Sequence, residues 1–361
     1  MKIKPIAIHL PQFHPFHEND TFWGKGFTEW TNVAKARPLF KGHYQPHIPS
    51  DLGFYDLRLE ETRIDQADLA RQYGIHGFCY YHYWFNGKRL MHRPFDDMLK
   101  TKTPEFPFML CWANENWTRR WDGLDSEILM KQDYSPEDDK NHIRFLLSNF
   151  FTDERYIRVD CKPFILIYRP ALFPDIKRTL ETWREEAHAF GLGGLHIGYM
   201  QSFGFREDPK TLGFDCCVDF QPDFSLLSPR TKLTFKQKAL FKLGFRKQAS
   251  DINRVYSYND YVDQMIRLDK PVPDTYRMVT PMWDNSPRKK TGASLFHDST
   301  PAKYESWLKH AVSVTLEEKL SENFVFINAW NEWAEGNHLE PCLRWQRQYL
   351  EATKRAIDSV E

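Results

Sequence analysis

Several features that mark particular classes of protein are missing from the 361-residue sequence. Lys and Arg number 49, and Asp and Glu also number 49, so the basic excess of a dedicated nucleic-acid-binding protein is absent. No run approaches about 18 apolar residues, the length that a transmembrane helix needs. The opening MKIKPIAIHLPQF has no long apolar stretch after its basic start, unlike a signal peptide. We therefore expect a cytoplasmic globular protein without a nucleic-acid partner.

Metal and redox motifs are missing as well. The six cysteines form no C-x-x-C pair, and no H-E-x-x-H occurs. Cys79, Cys111, Cys216 and Cys217 lie in apolar, strand-like runs, and we interpret them as reduced core residues. We expect no metal site and no cofactor. For the histidines near strand ends, hydrogen bonding to sugar hydroxyls or within the core is favoured over metal ligation.

Short apolar runs alternate with helical segments along the whole chain. The runs are nearly continuous, as expected for parallel strands that are buried on both faces. Eight strands are predicted, at residues 5–10, 77–85, 107–114, 163–169, 196–202, 214–221, 277–284 and 324–330. Seven helices are predicted, at residues 60–73, 94–101, 137–150, 174–190, 258–268, 302–319 and 343–358. This order predicts an α/β protein with a single (β/α)8 TIM barrel.

A doubly wound parallel sheet is the alternative fold. It would usually carry a Gly-rich phosphate loop after an early strand, and none is present. The segment GLGGLHIG (191–198) contains G-x-G, but it lies between a helix and the following strand, which is the wrong direction for a dinucleotide fingerprint. We expect one catalytic domain over residues 1–361, with an insertion at about 224–257.

Polar and aromatic side chains are concentrated at the carboxyl ends of the predicted strands, where barrel enzymes place their catalytic groups. Indole and phenol faces together with amides and carboxylates suit a sugar ring, which has an apolar face and a hydroxyl edge. The alternative is that some of these aromatic rings only fill the top of the barrel. The candidate substrate-binding residues are His9, Gln12, His14, Trp30, Tyr81, His82, Trp84, Asn114, Glu115, Trp117, Tyr168, Gln201, Trp283, Asp284, Asn331 and Trp333.

Two glutamates follow the last predicted strand in the segment NAWNEWAEG (328–336). Glycoside chemistry needs two carboxyl groups at the scissile bond. Glu332 and Glu335 project to one side if the chain turns helically after the strand, and Trp333 between them could raise the pKa of one of them. We predict that they are the catalytic pair. Alternatively, one of them is an ordinary salt-bridge partner. Glu340 is a third, less central candidate.

A basic segment lies inside the predicted insertion. Residues 230–247 contain seven Lys and Arg residues and no acid, interleaved with Leu and Phe. Such a segment can lie on an anionic membrane surface, which would make the protein peripheral to the inner membrane. The alternative is an excursion that packs on the barrel and exposes its basic face to solvent.

Five segments resemble the WbsX family, which is grouped with proteins like those of glycoside hydrolase family 99. They are HLPQFHP (9–15) with FWGKGFTEWTNV (22–33), GFCYYHYWF (77–85), WANENWTRRWDG (112–123) and NAWNEWAEGNHLEP (328–341). The resemblance covers residues 4 to about 355. It implies a (β/α)8 barrel that works on bacterial surface polysaccharide, and members are often named as glycosyltransferases of lipopolysaccharide or O-antigen biosynthesis.

The resemblance also implies roles for the two glutamates. Family 99 proper contains retaining endo-α-mannosidases in which an E-W-x-E-G motif supplies both catalytic carboxylates. By analogy, Glu332 would take the proton of the sugar 2-hydroxyl, giving a 1,2-anhydro intermediate, and Glu335 would protonate the leaving oxygen. Glu115 is similarly placed to a substrate-binding Glu of that family. Family 99 has His where this chain has Ala334, which leaves the identity of the bound sugar open.

Three functions are compatible with these observations. A retaining glycosidase or transglycosylase that cleaves an α-linked polysaccharide fits the barrel, the acid pair and the aromatic cleft. A glycosyltransferase that uses a nucleotide sugar and a lipid-linked acceptor fits the family's naming and the basic segment, but no convincing D-x-D followed by a pyrophosphate-binding loop is present. A glycan-binding protein without catalysis would not need two carboxylates in E-W-A-E-G. We favour the first.

Overall fold

The computed structural model describes residues 2–119, 124–226, 253–289, 292–318 and 320–359. Within them, eight parallel strands follow one another along the chain at the predicted places. They are β1 (Lys4–His9), β2 (Gly77–Phe85), β3 (Phe108–Trp112), β4 (Lys162–Ile167), β5 (His196–Met200), β6 (Cys216–Val218), β7 (Thr275–Val279) and β8 (Phe324–Ile327).

The strands form a closed barrel. Each strand pairs in parallel with its sequence neighbours, and β1 pairs with both β2 and β8. Ala7 is opposite Phe78 on one side and Ile327 on the other, so the sheet has no edge at this strand. The predicted (β/α)8 barrel is confirmed, and the doubly wound alternative is wrong because such a sheet stays open.

Helices follow the strands and surround the barrel. The seven predicted helices are confirmed, although the last begins five residues later than expected. A four-residue helix occupies the connection between β5 and β6, where no helix was predicted. The bounds are α1 (Glu60–Gln72), α2 (Arg93–Thr101), α3 (Pro136–Asn149), α4 (Ile176–Ala189), α5 (Pro209–Leu212), α6 (Tyr258–Leu268), α7 (Pro301–Glu318) and α8 (Gln348–Asp358).

Smaller elements decorate the connections, mostly after strand ends. Two short helices lie between β1 and α1, within residues 17–35. The short helices are His17–Trp23 and Glu29–Lys35, and the 3-10 turns are Pro170–Leu172, Phe224–Leu226 and Trp333–Glu335. The additional strands are Lys88–Leu90, Trp117–Arg119, Leu124–Met130, Arg158–Val159, Arg254–Ser257, Ser294–His297, Asn331–Glu332 and Asn337–His338.

The core lies inside the barrel and between the barrel and its helices. All four residues of β8 are at most 1% exposed, because a central strand of a closed barrel is covered on both faces. Cys79, Cys111, Cys216 and Cys217 are buried and free, which confirms their interpretation as reduced core residues.

The basic segment 230–247 lies outside the described residues, as does most of the predicted insertion. The prediction of one domain over 1–361 therefore stays a prediction. None of the described helices combines the length and the hydrophobicity that a membrane span requires.

Candidate active site

The two glutamates of the E-W-A-E-G motif lie on a tight turn after β8. Asn331–Glu332 pairs antiparallel with Asn337–His338, and Trp333–Glu335 forms a 3-10 turn between these strands. Glu332 directly precedes this turn and Glu335 is its last residue. Both carboxylates reach the guanidinium of Arg288, so the two side chains project to the same side, as predicted from their spacing. We call these two residues the carboxylate pair.

The turn is fixed at its far end by Gly336 and Asp284. Gly336 has a φ of 53°, and a Cβ added there would lie 2.9 Å from the Cβ of Asp284, so a side chain at this position is excluded on both grounds. The backbone N–H of Asp284 donates to the carbonyl oxygen of Glu335 at 2.6 Å. The loop after β7 thus holds the residue that carries the second carboxylate.

A single guanidinium connects both members of the carboxylate pair. Arg288 Nη2 lies 3.0 Å from Glu332 Oε2, and Arg288 Nη1 lies 2.7 Å from Glu335 Oε1. The same Nη2 lies 2.6 Å from Glu29 Oε1. The backbone N–H of Ala334 also donates to Glu29 Oε1, at 2.9 Å. Three carboxylates and one arginine therefore form a compact cluster in which the acids exceed the cation.

Burial and this excess of acid set the protonation of the cluster. Burial raises the pKa of Glu332 to about 8; the Arg288 guanidinium opposes the rise, and the charges of Glu335 and Glu29 add to it. Burial also raises the pKa of Glu29, against the pull of Arg288. The Glu332 side chain is 7% exposed, whereas that of Glu335 is 21% exposed. Glu332 therefore holds a proton more tightly than an ordinary carboxyl group does, and Glu335 is the more accessible acid.

Glu29 and Arg288 were not among the predicted site residues. Glu29 begins the short helix 29–35, far from the carboxylate pair in sequence, and Arg288 lies in the β7–α7 loop between Pro287 and two lysines. In the sequence, Glu29 is marked only by its place in the motif GFTEWTNV. Arg288 is followed by two lysines, a pattern typical of solvent-exposed charged residues. Barrel closure, which brings the loops after β1, β7 and β8 together, is what assembles the cluster.

A second buried network holds the turn from below. Glu340 accepts hydrogen bonds from Trp333 Nε1 at 2.6 Å, Gln66 Nε2 at 2.7 Å and the Tyr55 hydroxyl at 2.9 Å. Burial raises its pKa to about 7, although the donors lower it. The Trp333 ring stacks on His338 at 3.8 Å. Trp333 thus anchors the turn to the fold. That its ring is the apolar wall that raises the pKa of one member of the carboxylate pair stays a prediction.

Several predicted residues do lie near the carboxylate pair. Burial raises the pKa of Tyr81 and of Tyr168 well above the usual tyrosine value, and the charges of Glu332 and Glu335, respectively, add to this. Glu115 forms an ion pair with Arg169 and acts on the pKa of Tyr168 in the same direction. Tyr81 and Tyr168 therefore lie within electrostatic range of the carboxylate pair.

Other predicted residues face the helices instead. His82 Nε2 lies 2.9 Å from His142 Nε2 of α3, and Trp84 Nε1 donates to Asp138 of the same helix at 3.0 Å. His9 Nε2 lies 3.2 Å from Gln66 of α1. Successive strand residues alternate between the two faces, so only half of each strand end reaches the site. The structure does not bring His9, His82 and Trp84 to the carboxylate pair.

The remaining predicted residues of the loop after β1, and Trp117 after β3, are engaged in packing and hydrogen bonds within the protein. Gln12 Nε2 donates to Asn19 at 3.4 Å. Burial lowers the pKa of His14 to about 4, and its ring packs near Phe16. Trp30 donates to the carbonyl oxygen of Tyr55 at 2.8 Å and packs against Trp333. Trp117 stacks on Phe16 at 5.9 Å.

The predicted residues at the ends of later strands also have protein partners. Asn114 donates to the Tyr134 hydroxyl and to the carbonyl oxygen of Arg169, both at 2.9 Å, and the backbone N–H of Gln201 donates to Val218. Asn331 donates to Leu10 O at 3.1 Å. Trp283 packs against Phe224.

Asp284 accepts hydrogen bonds from His43 Nε2 at 2.7 Å and from Gln45 Nε2 at 2.5 Å. Burial raises the pKa of Asp284, but these donors outweigh burial and lower it.

Within the described parts of the chain, no group of three or more His, Cys, Asp or Glu residues is arranged to hold a metal ion. The cluster around Arg288 has a guanidinium as its counter-charge, which offsets part of the cost of burying three carboxyl groups.

The model of the family described as "Glycosyltransferase WbsX" matches residues 5–353. The chain belongs to this family. Its curated relatives include the "Uncharacterized protein WxcX" of Xanthomonas campestris pv. campestris, which is 40% identical over 358 residues. That alignment covers 98% of this WbsX family member but 49% of the relative, so the chain spans about half the length of the curated relatives it matches.

Solved structures share the fold of this WbsX family member. The GH99 endo-alpha-mannosidase of Bacteroides thetaiotaomicron has a TM-score of 0.54 at 13% identity, over 98% of this chain and 96% of that chain. A "Glycoside hydrolase-like protein" has a TM-score of 0.58 at 14% identity, over 99% and 94%. At such low identity these likenesses concern the fold, and they agree with the closed barrel described above.

Proposed function

We propose that this WbsX family member is a retaining glycosidase or transglycosylase that cleaves an α-linked glycan of a bacterial surface polysaccharide. The observation that carries the proposal is the placement of Glu332 and Glu335 at the two ends of one tight turn after β8, where one guanidinium reaches both. Barrel enzymes place their chemistry at this end of the strands. The family's carbohydrate chemistry and the glycosidase folds above support the same reading.

The proposed reaction begins with proton transfer at the sugar. Ionised Glu332 accepts the proton of the 2-hydroxyl, and the 2-oxygen attacks the anomeric carbon. The bond to the leaving oxygen breaks as Glu335 donates its proton to that oxygen. The product of this step is a 1,2-anhydro sugar, with Glu332 protonated and Glu335 ionised.

The second step restores both carboxyl groups. Glu335 now acts as a base and accepts a proton from water or from an acceptor hydroxyl. The oxygen of that molecule attacks the anomeric carbon, the bond from the anomeric carbon to the 2-oxygen breaks, and Glu332 returns its proton to the 2-oxygen. Two inversions at the same carbon retain its configuration. Water gives hydrolysis, and a sugar hydroxyl gives transglycosylation.

Arg288 has a defined place in this scheme. Its two terminal nitrogens each contact one oxygen of the carboxylate pair, Nη2 on Glu332 and Nη1 on Glu335. The 2-hydroxyl and the leaving oxygen of a substrate compete for the same carboxyl groups, so Arg288 keeps the pair oriented until the sugar binds. Its anchor on Glu29 persists when the other two contacts loosen.

The second candidate is a glycosyltransferase that uses a nucleotide-sugar donor and a lipid-linked acceptor for O-antigen or capsule synthesis. The specific observation in its favour is the family's own description. Against it, the chain shows no convincing D-x-D followed by a pyrophosphate-binding loop. The acid pair also has no required part in direct transfer from a nucleotide sugar.

One experiment separates the two candidates. The protein is incubated with the surface polysaccharide of its source organism, without nucleotide sugar, and the products are analysed by mass spectrometry beside Glu335→Gln. We expect shorter oligosaccharides from the unmutated protein alone. Intact polysaccharide in both samples, followed by chain extension once nucleotide sugars and a lipid-linked acceptor are added, would establish the transferase instead.

A further inference from the structure

A cavity of about 110 Å³ lies next to the carboxylate pair, on the side of the β7 and β1 loops. Gly336, which follows Glu335 directly, forms part of its wall, and so does Asp284, whose backbone N–H is bonded to Glu335. An engineered cavity of roughly 150 Å³ holds a benzene ring, so this volume is of the order that one six-membered ring requires. Exposed Arg344 also lines the cavity, which therefore reaches the surface.

Aromatic rings form much of the wall. Tyr44, Trp283, Phe296 and Trp345 all line the cavity. The guanidinium of Arg344 lies 4.8 Å from the centre of the Tyr44 ring and 4.9 Å from that of Trp345, so it is held between two rings. Ring faces of this kind pack against the apolar C–H face of a sugar.

The polar groups of the wall are mixed donors and acceptors. Trp283 Nε1 and Ser299 Oγ are buried and have no hydrogen-bond partner within the described part of the chain. His338 Nδ1 lies 2.8 Å from the carbonyl oxygen of Glu340 and so carries the proton that it donates there. Its Nε2 must then accept from His47 Nδ1, at 2.9 Å, which leaves His47 Nε2 as an acceptor.

We propose that this cavity binds a second, neutral pyranose ring of the glycan, next to the ring whose bond is cleaved. The inference rests on the proposed function and adds to it a recognition site beyond the carboxylate pair. Sugar hydroxyls both donate and accept, which matches an indole N–H, a serine hydroxyl and a neutral imidazole nitrogen. The carboxylates of Asp284 and Asp298 also line the cavity, each paired with a histidine, and they oppose an anionic sugar, which Arg344 alone among the Lys and Arg residues of the described wall would attract.

The first test measures binding by saturation-transfer NMR. The probes are the methyl α-pyranosides of mannose, glucose and galactose, with methyl α-glucuronoside as the anionic comparison. Ser299→Phe places a ring in the cavity, and Ser299→Ala removes one donor that has no protein partner to lose. Ser313→Phe, on the exposed face of α7, adds the same ring elsewhere and is the matched control.

We expect at least one neutral pyranoside to bind the unmutated protein and the control. Its signal should fall about tenfold in Ser299→Phe and more weakly in Ser299→Ala. The alanine variant keeps the test valid if the larger substitution disturbs the fold. Signals that are equal in all four proteins, or binding of the glucuronoside alone, would overturn the inference. This test does not require that the protein cleaves anything.

The second test uses the cleavage reaction. With polysaccharide as substrate, kcat/KM should fall about tenfold in Ser299→Phe, equivalent to roughly 1.4 kcal/mol of lost binding. With an aryl monoglycoside, which fills only the position at the carboxylate pair, it should stay unchanged. Equal rates on polysaccharide contradict the second ring site and leave the proposed function intact. No cleavage by any variant, together with loss of the NMR signal in Ser299→Phe, contradicts the proposed function and leaves the ring site intact.

Discussion

The carboxylate of Glu29 accepts the backbone N–H of Ala334 at 2.9 Å, although 305 residues separate them in the chain. Ala334 is one of the two residues between the members of the carboxylate pair, and it directly precedes Glu335. The first loop of the barrel thus holds the turn formed after the last strand. The same oxygen of Glu29 binds Arg288, so one buried carboxylate positions both the turn and its counter-ion. Closing the barrel is therefore a requirement for assembling the site.

The first prediction concerns the proton donor. Glu335→Gln should lower turnover on polysaccharide by about 10²–10⁴-fold while glycan binding persists, because the amide keeps the shape but cannot donate the proton. A substrate with a good leaving group should recover part of the rate. Product release by mass spectrometry and binding by calorimetry measure the two effects. Glu351→Gln, on the exposed face of α8, is the control. Unchanged turnover in Glu335→Gln would contradict the assignment of Glu335 as the proton donor.

The second prediction concerns stability and pH. Glu332 has a usual pKa of 4.5 and a folded-state pKa of about 8. Since the folded state binds the proton more tightly, the stability that this group contributes is present below pH 4.5 and is lost as the pH rises through about 8. The free energy of unfolding of the wild type should therefore fall relative to that of Glu332→Gln across this window. Urea denaturation at a series of pH values measures it, and parallel curves would contradict the raised pKa.

The third prediction concerns Arg288. If Glu332 is the base, kcat/KM should rise with pH up to about 8, where the carboxyl ionises. Arg288→Met removes the charge that favours ionisation, so its profile should shift to higher pH and its activity at neutral pH should fall about tenfold or more. Lys289→Met removes a charge from the same loop and should leave the profile in place. A variant Arg288→Met with low activity but an unshifted profile would show that Arg288 acts only through the fold.

The fourth prediction concerns the network below the turn. Glu340→Ala leaves the buried donors of Trp333, Gln66 and Tyr55 without their acceptor. Each such group costs about 1–3 kcal/mol, so the free energy of unfolding should fall by several kcal/mol. Glu340→Gln keeps one acceptor oxygen and should lose less. Urea denaturation measures the free energy of unfolding of both variants. Equal losses would mean that the loss of stability does not come from the missing hydrogen bonds.

The fifth prediction concerns the basic segment 230–247, which we propose as a contact with anionic membrane. Replacing its seven Lys and Arg residues by Gln should weaken pelleting with vesicles rich in phosphatidylglycerol, and salt should weaken pelleting of the unmodified protein. Vesicles of phosphatidylcholine are the control. Equal pelleting before and after the replacement would make the segment an ordinary solvated surface.

The barrel could be predicted because its pattern is local. Each buried strand is a short continuous apolar run, and Gly74 and Gly191 follow the predicted ends of helices as a C-terminal cap requires. The helix 209–212 was not predicted, because a segment of four residues is too short to show a helical hydrophobic period. The last helix began late because residues 343–347 form bonded turns before it.

The site was predicted only in part, since strand ends were identified but not the direction of each side chain. Tyr81 and His82 are adjacent, yet Tyr81 lies near Glu332 and His82 packs on α3. The alternation is visible in the sequence, but in strands buried on both sides no polarity difference marks which face is which.

The sequence alone determined the strand–helix order, the closed α/β architecture and the two glutamates of E-W-A-E-G, because periodicity and spacing are properties of neighbouring residues. The tertiary structure alone decided that Glu29 and Arg288 join them and that burial raises the pKa of Glu332. It also decided that Trp333 supports the turn through Glu340. Burial and counter-charge depend on residues that are distant in sequence. Only the closing of the barrel brings loops from the two ends of the chain together.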